Sequence, residues 1–242
     1  MTSLTLEKEL NLRKDIVLNI KKSLNLEGVV SQIVFALDKS GSMSHLYESK
    51  EVQKLTERIL PLGMAFDQNQ EIDFYIFESG FNKINPNVTP SNISNYVDNY
   101  VMKYGYGGTK YAPVIDQIIK DFNPPTSSGG FLGIGSKKRY NPLSVPVYVV
   151  MITDGENSDP SEAVTAIQEA AKAGIFFQFI GIGNDRFNFL QKLDTMPGRV
   201  IDNANFFQID NINSNSDQEL YQLLLAEYPS FLLKARSQGL IR

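Results

Sequence analysis

The segment VPVYVVMIT (145–153) is apolar at consecutive positions, not alternate ones. A strand with one wet face alternates. A strand apolar throughout is covered on both faces, as in a parallel sheet held between helical layers. VVSQIVFALD (29–38) and IFFQFIGI (175–182) share this character, and EIDFYIF (71–77) and NFFQI (205–209) are further strands. Segments 46–66, 91–103, 111–122, 160–173, 185–194 and 216–238 are expected helices. In the first of them Val52, Leu55, Ile59 and Leu62 share one side. Strand and helix alternate, so the fold class is α/β: a doubly wound, mostly parallel central sheet flanked by helices, Rossmann-like in plan. FNKI (81–84) suits a short returning strand. Pro61 is expected to kink or interrupt its helix, Pro160 to open one and Gly174 to end it, and Pro229 to break the last.

The 242 residues suffice for one such domain with a substantial core. Leu6, Leu10, Val17, Ile20 and Leu24 give residues 4–26 a helix with one apolar face, which either packs back or docks a partner. The expected organisation is a helical extension over 1–28 and the domain over 29–242. A Gly/Pro/Ser-rich insertion falls at about 123–144, too long for a routine connection. A net charge of −4 recruits neither nucleic acid nor an acidic membrane surface. The absence of cysteine excludes disulfides and thiolate-bound zinc. The one histidine excludes a multi-histidine centre and leaves any His-dependent triad to His45. The N-terminal stretch lacks the apolar core of a signal peptide and no window is long enough to cross a bilayer, so a cytoplasmic protein is expected.

Ligands in an open parallel sheet bind beyond the carboxyl ends of the strands. Three segments bring oxygen-bearing side chains to such ends: Asp38, Ser40 and Ser42 after the first strand, Thr109 after Gly107 and Gly108, and Asp154 after the strand 145–153. Asp38 to Ser42 alone suits a turn with a capping serine. Together the five make an oxygen-only donor set for Mg²⁺, with Mn²⁺ or Ca²⁺ as alternatives. Two acids at most neutralise such an ion, and an open position then attracts a carboxylate from outside. Gly41, Gly107 and Gly108 suit backbone lying close to an ion.

These residues carry a resemblance. DKSGSM (38–43) is similar to the Asp-x-Ser-x-Ser signature of the von Willebrand factor A (vWA) domain, whose metal-ion-dependent adhesion site (MIDAS) is completed by a threonine and an aspartate. Thr109 in GGT and Asp154 in TDG match those two positions, and the likeness covers roughly 29–240. It implies direct ligation by Ser40, Ser42 and Thr109, with Asp38 and Asp154 acting mostly through water. DGENSD (154–159) and the ending AEYPSFLLKARSQGL most resemble intracellular vWA domains that accompany bacterial tellurium-resistance and stress-response proteins. The implied function is divalent-cation-dependent protein binding, a partner's acidic residue completing the metal shell, in a cytoplasmic or membrane-proximal complex. The alternatives are a Mg²⁺-dependent hydrolase of phosphate esters, which lacks an evident second metal or triad, and a metal that only ties loops together.

Other motifs weigh less. Glu156, Asn157 and Asp159 suit the site's rim or a cap on the following helix. His45 suits an exposed position beside the site, or one that greets an acidic ligand. GFLGIGSK (130–137) has the glycine spacing of a phosphate loop, but Ser136 stands where the lysine belongs and no buried strand precedes it, which excludes nucleotide binding there. SKKR (136–139) suits a solvated loop or an acidic partner. Phe131, Leu132 and Ile134 suit either a contact at a loop tip or folding back onto the domain.

Overall fold

A computed structural model describes residues 3–127 and 138–242. In chain order its strands are β1 (Gln32–Asp38), β2 (Ile72–Phe77), β3 (Phe81–Val88), β4 (Thr126–Ser127), β5 (Lys138–Arg139), β6 (Val147–Thr153), β7 (Ile175–Ile182) and β8 (Ala204–Ile209). Six of them form one sheet in the order β3-β2-β1-β6-β7-β8, while β4 and β5 pair as a separate ribbon. β2, β1, β6, β7 and β8 run parallel, and β3 returns antiparallel beside β2 at the edge. The mostly parallel sheet expected from the continuous apolar runs is therefore what forms.

Helices cover both faces. One layer holds α1 (Ser3–Ser23), α2 (Ser44–Glu48), α3 (Glu51–Phe66), α7 (Asp217–Leu225) and α8 (Tyr228–Ser237). The other holds α4 (Ala112–Phe122), α5 (Pro160–Lys172) and α6 (Asn188–Thr195). Successive strand residues serve opposite layers, as pleating demands: Ile33, Phe35 and Leu37 join the first core, Val34 and Ala36 the second. In β6 every residue is buried, which is why that segment is apolar without alternation.

Three expected elements differ. The helix over 46–66 is two helices, broken at Lys50 in a left-handed conformation (φ 63°), and it passes through Pro61 without ending. A mid-helix proline costs about 3 kcal/mol. Ile59, Leu60 and Leu62 are each 0% exposed, and each contributes roughly 1.5–3 kcal/mol by burial, which outweighs it. Over 91–103 the structure has turns followed by a π-helical segment, Val97–Val101, because Asn95 turns left-handed (φ 57°) just before it. β3 runs on to Val88, well past 84. At the C-terminal end Pro229 lies in the first turn of α8, and the break falls just before it.

The apolar face of α1 packs back onto the domain, with Leu6, Leu10, Val17 and Ile20 buried against α3 and α7. Arg13 Nε donates to Asp217 Oδ2 (2.9 Å), and Arg58 Nε donates to Asp217 Oδ1 (2.7 Å). Arg58 also donates to the carbonyls of Ile212 and Asn215, so one guanidinium ties α3 to the loop that enters α7. At the far end Lys21 Nζ donates to the Val29 and Ala65 carbonyls (2.9 and 2.8 Å), and burial lowers its pKa to about 8. Among the described residues no helix is long and apolar enough to cross a membrane. Lys138 and Arg139 are exposed in β5. Phe131, Leu132, Ile134 and the glycine loop 130–137 lie outside the described residues.

Candidate metal centre

β1 and β6 are parallel neighbours with Leu37 opposite Ile152, so Asp38 and Asp154 leave the same edge of the sheet side by side. From β1 the strand order runs to β2 on one side and to β6 on the other, and a doubly wound sheet opens its crevice at such a reversal. Asp38 is fully buried there. Its Oδ1 accepts from the Ser40 amide (2.7 Å) and its Oδ2 from Thr153 Oγ1 (2.6 Å), while its carbonyl accepts from Tyr47 Oη (2.8 Å). These bonds fix the carboxylate and fold the chain back so that Ser40 and Ser42 follow on the same side.

The oxygens then run in a chain. Ser40 Oγ lies 3.0 Å from Ser42 Oγ, and Ser42 Oγ donates to Asp154 Oδ1 at 2.8 Å. Four of the five expected ligands are thus brought together. Thr109 arrives by its backbone. Ser40 bridges to Gly107, the Gly41 amide donates to the Gly107 carbonyl (3.0 Å) and the Gly107 amide to the Lys39 carbonyl (3.2 Å). The Thr109 carbonyl accepts from the Ser158 amide and hydroxyl (2.8 and 2.9 Å), which joins this loop to the one after Asp154. Among the described residues the Thr109 hydroxyl has no hydrogen bond to the other four.

The electrostatics fit a cation. Burial pushes the Asp38 carboxyl up to about 6, with the nearby Asp154 charge adding to the rise against the hydrogen bonds that oppose it. Among the described residues no Lys or Arg pairs with either acid. Two close carboxylates with hydroxyls between them and no counter-charge are the donor chemistry of a hard divalent ion. No three His, Cys, Asp or Glu side chains cluster for a metal among the described residues, consistent with a set that is mostly hydroxyl. The neighbouring Lys39 offers no neutralisation. Its ammonium is fully buried without a hydrogen-bond acceptor, held over the rings of Tyr106 (3.6 Å) and Tyr47 (4.1 Å).

A Cβ on Gly107 would sit 2.6 Å from Glu78 Oε2, so the glycine leaves room for the half-buried Glu78 side chain just past β2; a Cβ on Gly41 would meet open space. His45 is exposed, its Nδ1 2.8 Å from the Ser42 carbonyl. Glu156 reaches the Phe189 amide at the start of α6 (3.3 Å), and Asn157 donates to Asp159 Oδ1 (2.8 Å).

Asp159 corrects an expectation. It stands before α5 but does not cap that helix. Its two oxygens instead accept from the Tyr111 and Ala112 amides at the start of α4 (3.0 and 2.8 Å), 48 and 47 residues away. Tyr111 completes the tie by donating its hydroxyl to the Gly155 carbonyl (2.9 Å). Thr153, Tyr47 and Tyr111 were not singled out by sequence. A terminal threonine in an otherwise apolar strand is the one signal that marks any of them. Asp159→Ala is expected to cost about 2 kcal/mol, because it orphans two helix-start amides. Chemical denaturation measures this, and a cost below about 0.5 kcal/mol would show that water replaces the carboxylate.

Comparison with known proteins places the fold. Proximal thread matrix protein 1 from the mussel byssus superposes with a TM-score of 0.56 at 17% identity, over 81% of this chain and 47% of that one. The manganese-loaded TRAP protein of Plasmodium vivax superposes with a TM-score of 0.53 at 13% identity, over 81% and 72%. Both likenesses are of fold, and the fold is that of a vWA domain. A further structure of the mussel protein, 19% identical with a TM-score of 0.51, has a zinc-occupied MIDAS motif. Over residues 30–241 the chain belongs to the vWA-TerF-like family, described as the vWA found in the TerF C terminus. It is 33% identical over 237 residues to the uncharacterized protein YcbR of Bacillus subtilis (strain 168), covering 96% of this chain and 90% of that one. vWA domains generally mediate metal-dependent protein interactions and are typically not enzymes.

Proposed function

We propose that this domain, residues 29–242 with α1 as its helical extension, binds a partner protein through a divalent ion held by Asp38, Ser40, Ser42, Thr109 and Asp154. One observation carries the reading: the uninterrupted chain from Ser40 through Ser42 to Asp154, beside a buried Asp38 that no basic side chain among the described residues neutralises. Mg²⁺ suits these hard oxygens, and when bound it supplies an electrophilic position for an acidic side chain of the partner. Asp38 and Asp154 would supply the charge, the two serines and Thr109 hydroxyl oxygens, with the Gly107 ties to Lys39 and Gly41 holding the threonine's loop beside the first strand's end. The setting that fits the family is a bacterial tellurium-resistance or stress-response complex in the cytoplasm.

Calorimetry of the metal-stripped protein is expected to register Mg²⁺ uptake, weakened at least tenfold by Ser40→Ala/Ser42→Ala. Heat indistinguishable from dilution, with Mn²⁺ and Ca²⁺ also inert, would end the proposal. Partners captured equally with and without Mg²⁺ would reduce the ion to a tie between loops.

A further inference from the structure

Lys39 stands between two candidate ligands, Asp38 and Ser40, yet among the described residues its ammonium pairs with no carboxylate. The side chain is fully buried, and its Nζ has no hydrogen-bond acceptor. A buried cation left in that state is costly. Two ring faces take the acceptor's place. Nζ lies 3.6 Å from the centre of the Tyr106 ring and 4.1 Å from that of Tyr47, and the two rings meet edge to face, 5.8 Å apart. The attraction of a cation for a ring face strengthens where water is excluded, as it is around this nitrogen.

The three side chains belong to three different segments. Lys39 follows β1, Tyr47 lies in α2, and Tyr106 opens the loop that ends at Thr109. Tyr47 is anchored inside the domain, its ring buried and its hydroxyl donating to the Asp38 carbonyl (2.8 Å). Tyr106 is 40% exposed, so its hold on the domain depends on the faces it shares with Lys39 and Tyr47. The backbone repeats the tie one residue on. The Gly107 amide donates to the Lys39 carbonyl (3.2 Å), and the Gly107 carbonyl accepts from the Gly41 amide (3.0 Å). Lys39 thus grips the loop by main chain and by side chain, and Thr109 follows close behind.

We infer that Lys39 and Tyr106 are positioning residues for the proposed metal centre: the ammonium, held between the two tyrosine rings, fixes the 106–109 loop against the end of β1 and so delivers Thr109 to the ion. The inference rests on the proposed metal-dependent binding and deepens it by naming what holds the fifth ligand. It carries a sign that separates it from plain electrostatics. A fixed positive charge beside the site repels a second cation, so on charge alone its removal tightens Mg²⁺ binding. Removal of a positioning group weakens it.

The test titrates Mg²⁺ into the metal-stripped full chain at pH 7 by calorimetry. Lys39→Met keeps the length of the side chain without its charge, Tyr106→Leu removes the ring from a partly exposed position, and Tyr106→Phe keeps the ring face. Lys39→Met and Tyr106→Leu are each expected to weaken Mg²⁺ binding by about fivefold or more, and Tyr106→Phe to stay within about twofold of the native sequence. The double variant Lys39→Met/Tyr106→Leu loses no more than the worse single one, because both break the same contact. In a Thr109→Ala background Tyr106→Leu has no further effect, a result that general damage to the fold does not give. Native or tighter Mg²⁺ binding in Lys39→Met overturns the inference and leaves the metal reading standing. So do losses that add in the double variant, a Tyr106→Phe as weak as Tyr106→Leu, or a further loss on top of Thr109→Ala. No uptake of Mg²⁺, Mn²⁺ or Ca²⁺ by the native sequence removes both.

Discussion

Metal-free protein carrying Asp38→Asn is expected to melt several degrees higher than the native sequence at pH 7, and to take up no Mg²⁺. The reason is the cost of keeping Asp38 charged. Its folded pKa is about 6 against an ordinary 3.8, with burial the main cause. A shift of that size corresponds to about 3 kcal/mol against the ionised form. For a protein of this length, each kcal/mol moves the melting temperature by about 2–4 °C. A raised acid pKa means that the folded state holds its proton longer than the unfolded state. The stabilisation by protonated Asp38 is complete below pH 3.8 and is lost as the pH rises through about 6. The gap between variant and native sequence therefore opens across that window and is flat above it. Asparagine loses part of the gain, because its amide must reverse the bond from Thr153. Bound metal inverts the sign: it favours the charged form, so Mg²⁺ affinity falls as the pH drops below about 6. Thermal melts with chelator across pH 4–8 decide the matter. A variant less stable at every pH would show that hydrogen bonds alone satisfy the carboxylate.

The second large effect is expected between α3 and α7. Arg58→Ala should destabilise the fold by about 3 kcal/mol, because it removes a buried guanidinium and leaves its acceptors unpaired. Three acceptors lose their donor together: Asp217, the Ile212 carbonyl and the Asn215 carbonyl. Asp217 keeps Arg13 and some contact with water, which holds the loss below the upper end for a broken buried pair. Arg58→Lys recovers little, since one ammonium lacks the planar fork that reaches all three. Urea denaturation gives the comparison. A loss under 1 kcal/mol would place Arg58 among ordinary surface charges.

The central strands are legible in the sequence because burial on both faces leaves few polar positions to obscure them, Asp73 in β2 and Gln178 in β7 among them; β6 is the clearest case. The acids at the ends of β1 and β6 are legible for a related reason, since each breaks an apolar run abruptly. Position along a strand becomes position in space once the strands are parallel neighbours. What the sequence hides depends on tertiary contact. Asp159 looks like the cap of its own helix, and only the fold brings α4 close enough to claim it. Pro61 looks like a kink or an interruption, and only the buried face around it shows why the helix continues. The left-handed residues Lys50 and Asn95 redirect the chain with no more warning than a polar side chain.

The placement of β6 in the middle of the sheet has a consequence for biosynthesis. Asp38 and the Thr153 hydroxyl that holds it are 115 residues apart in the chain. At about 5–20 residues per second on the ribosome, roughly 6–23 s pass between their emergence. Throughout that interval β1 has a bare apolar flank where β6 will insert, and a sticky nascent edge of this kind attracts chaperones.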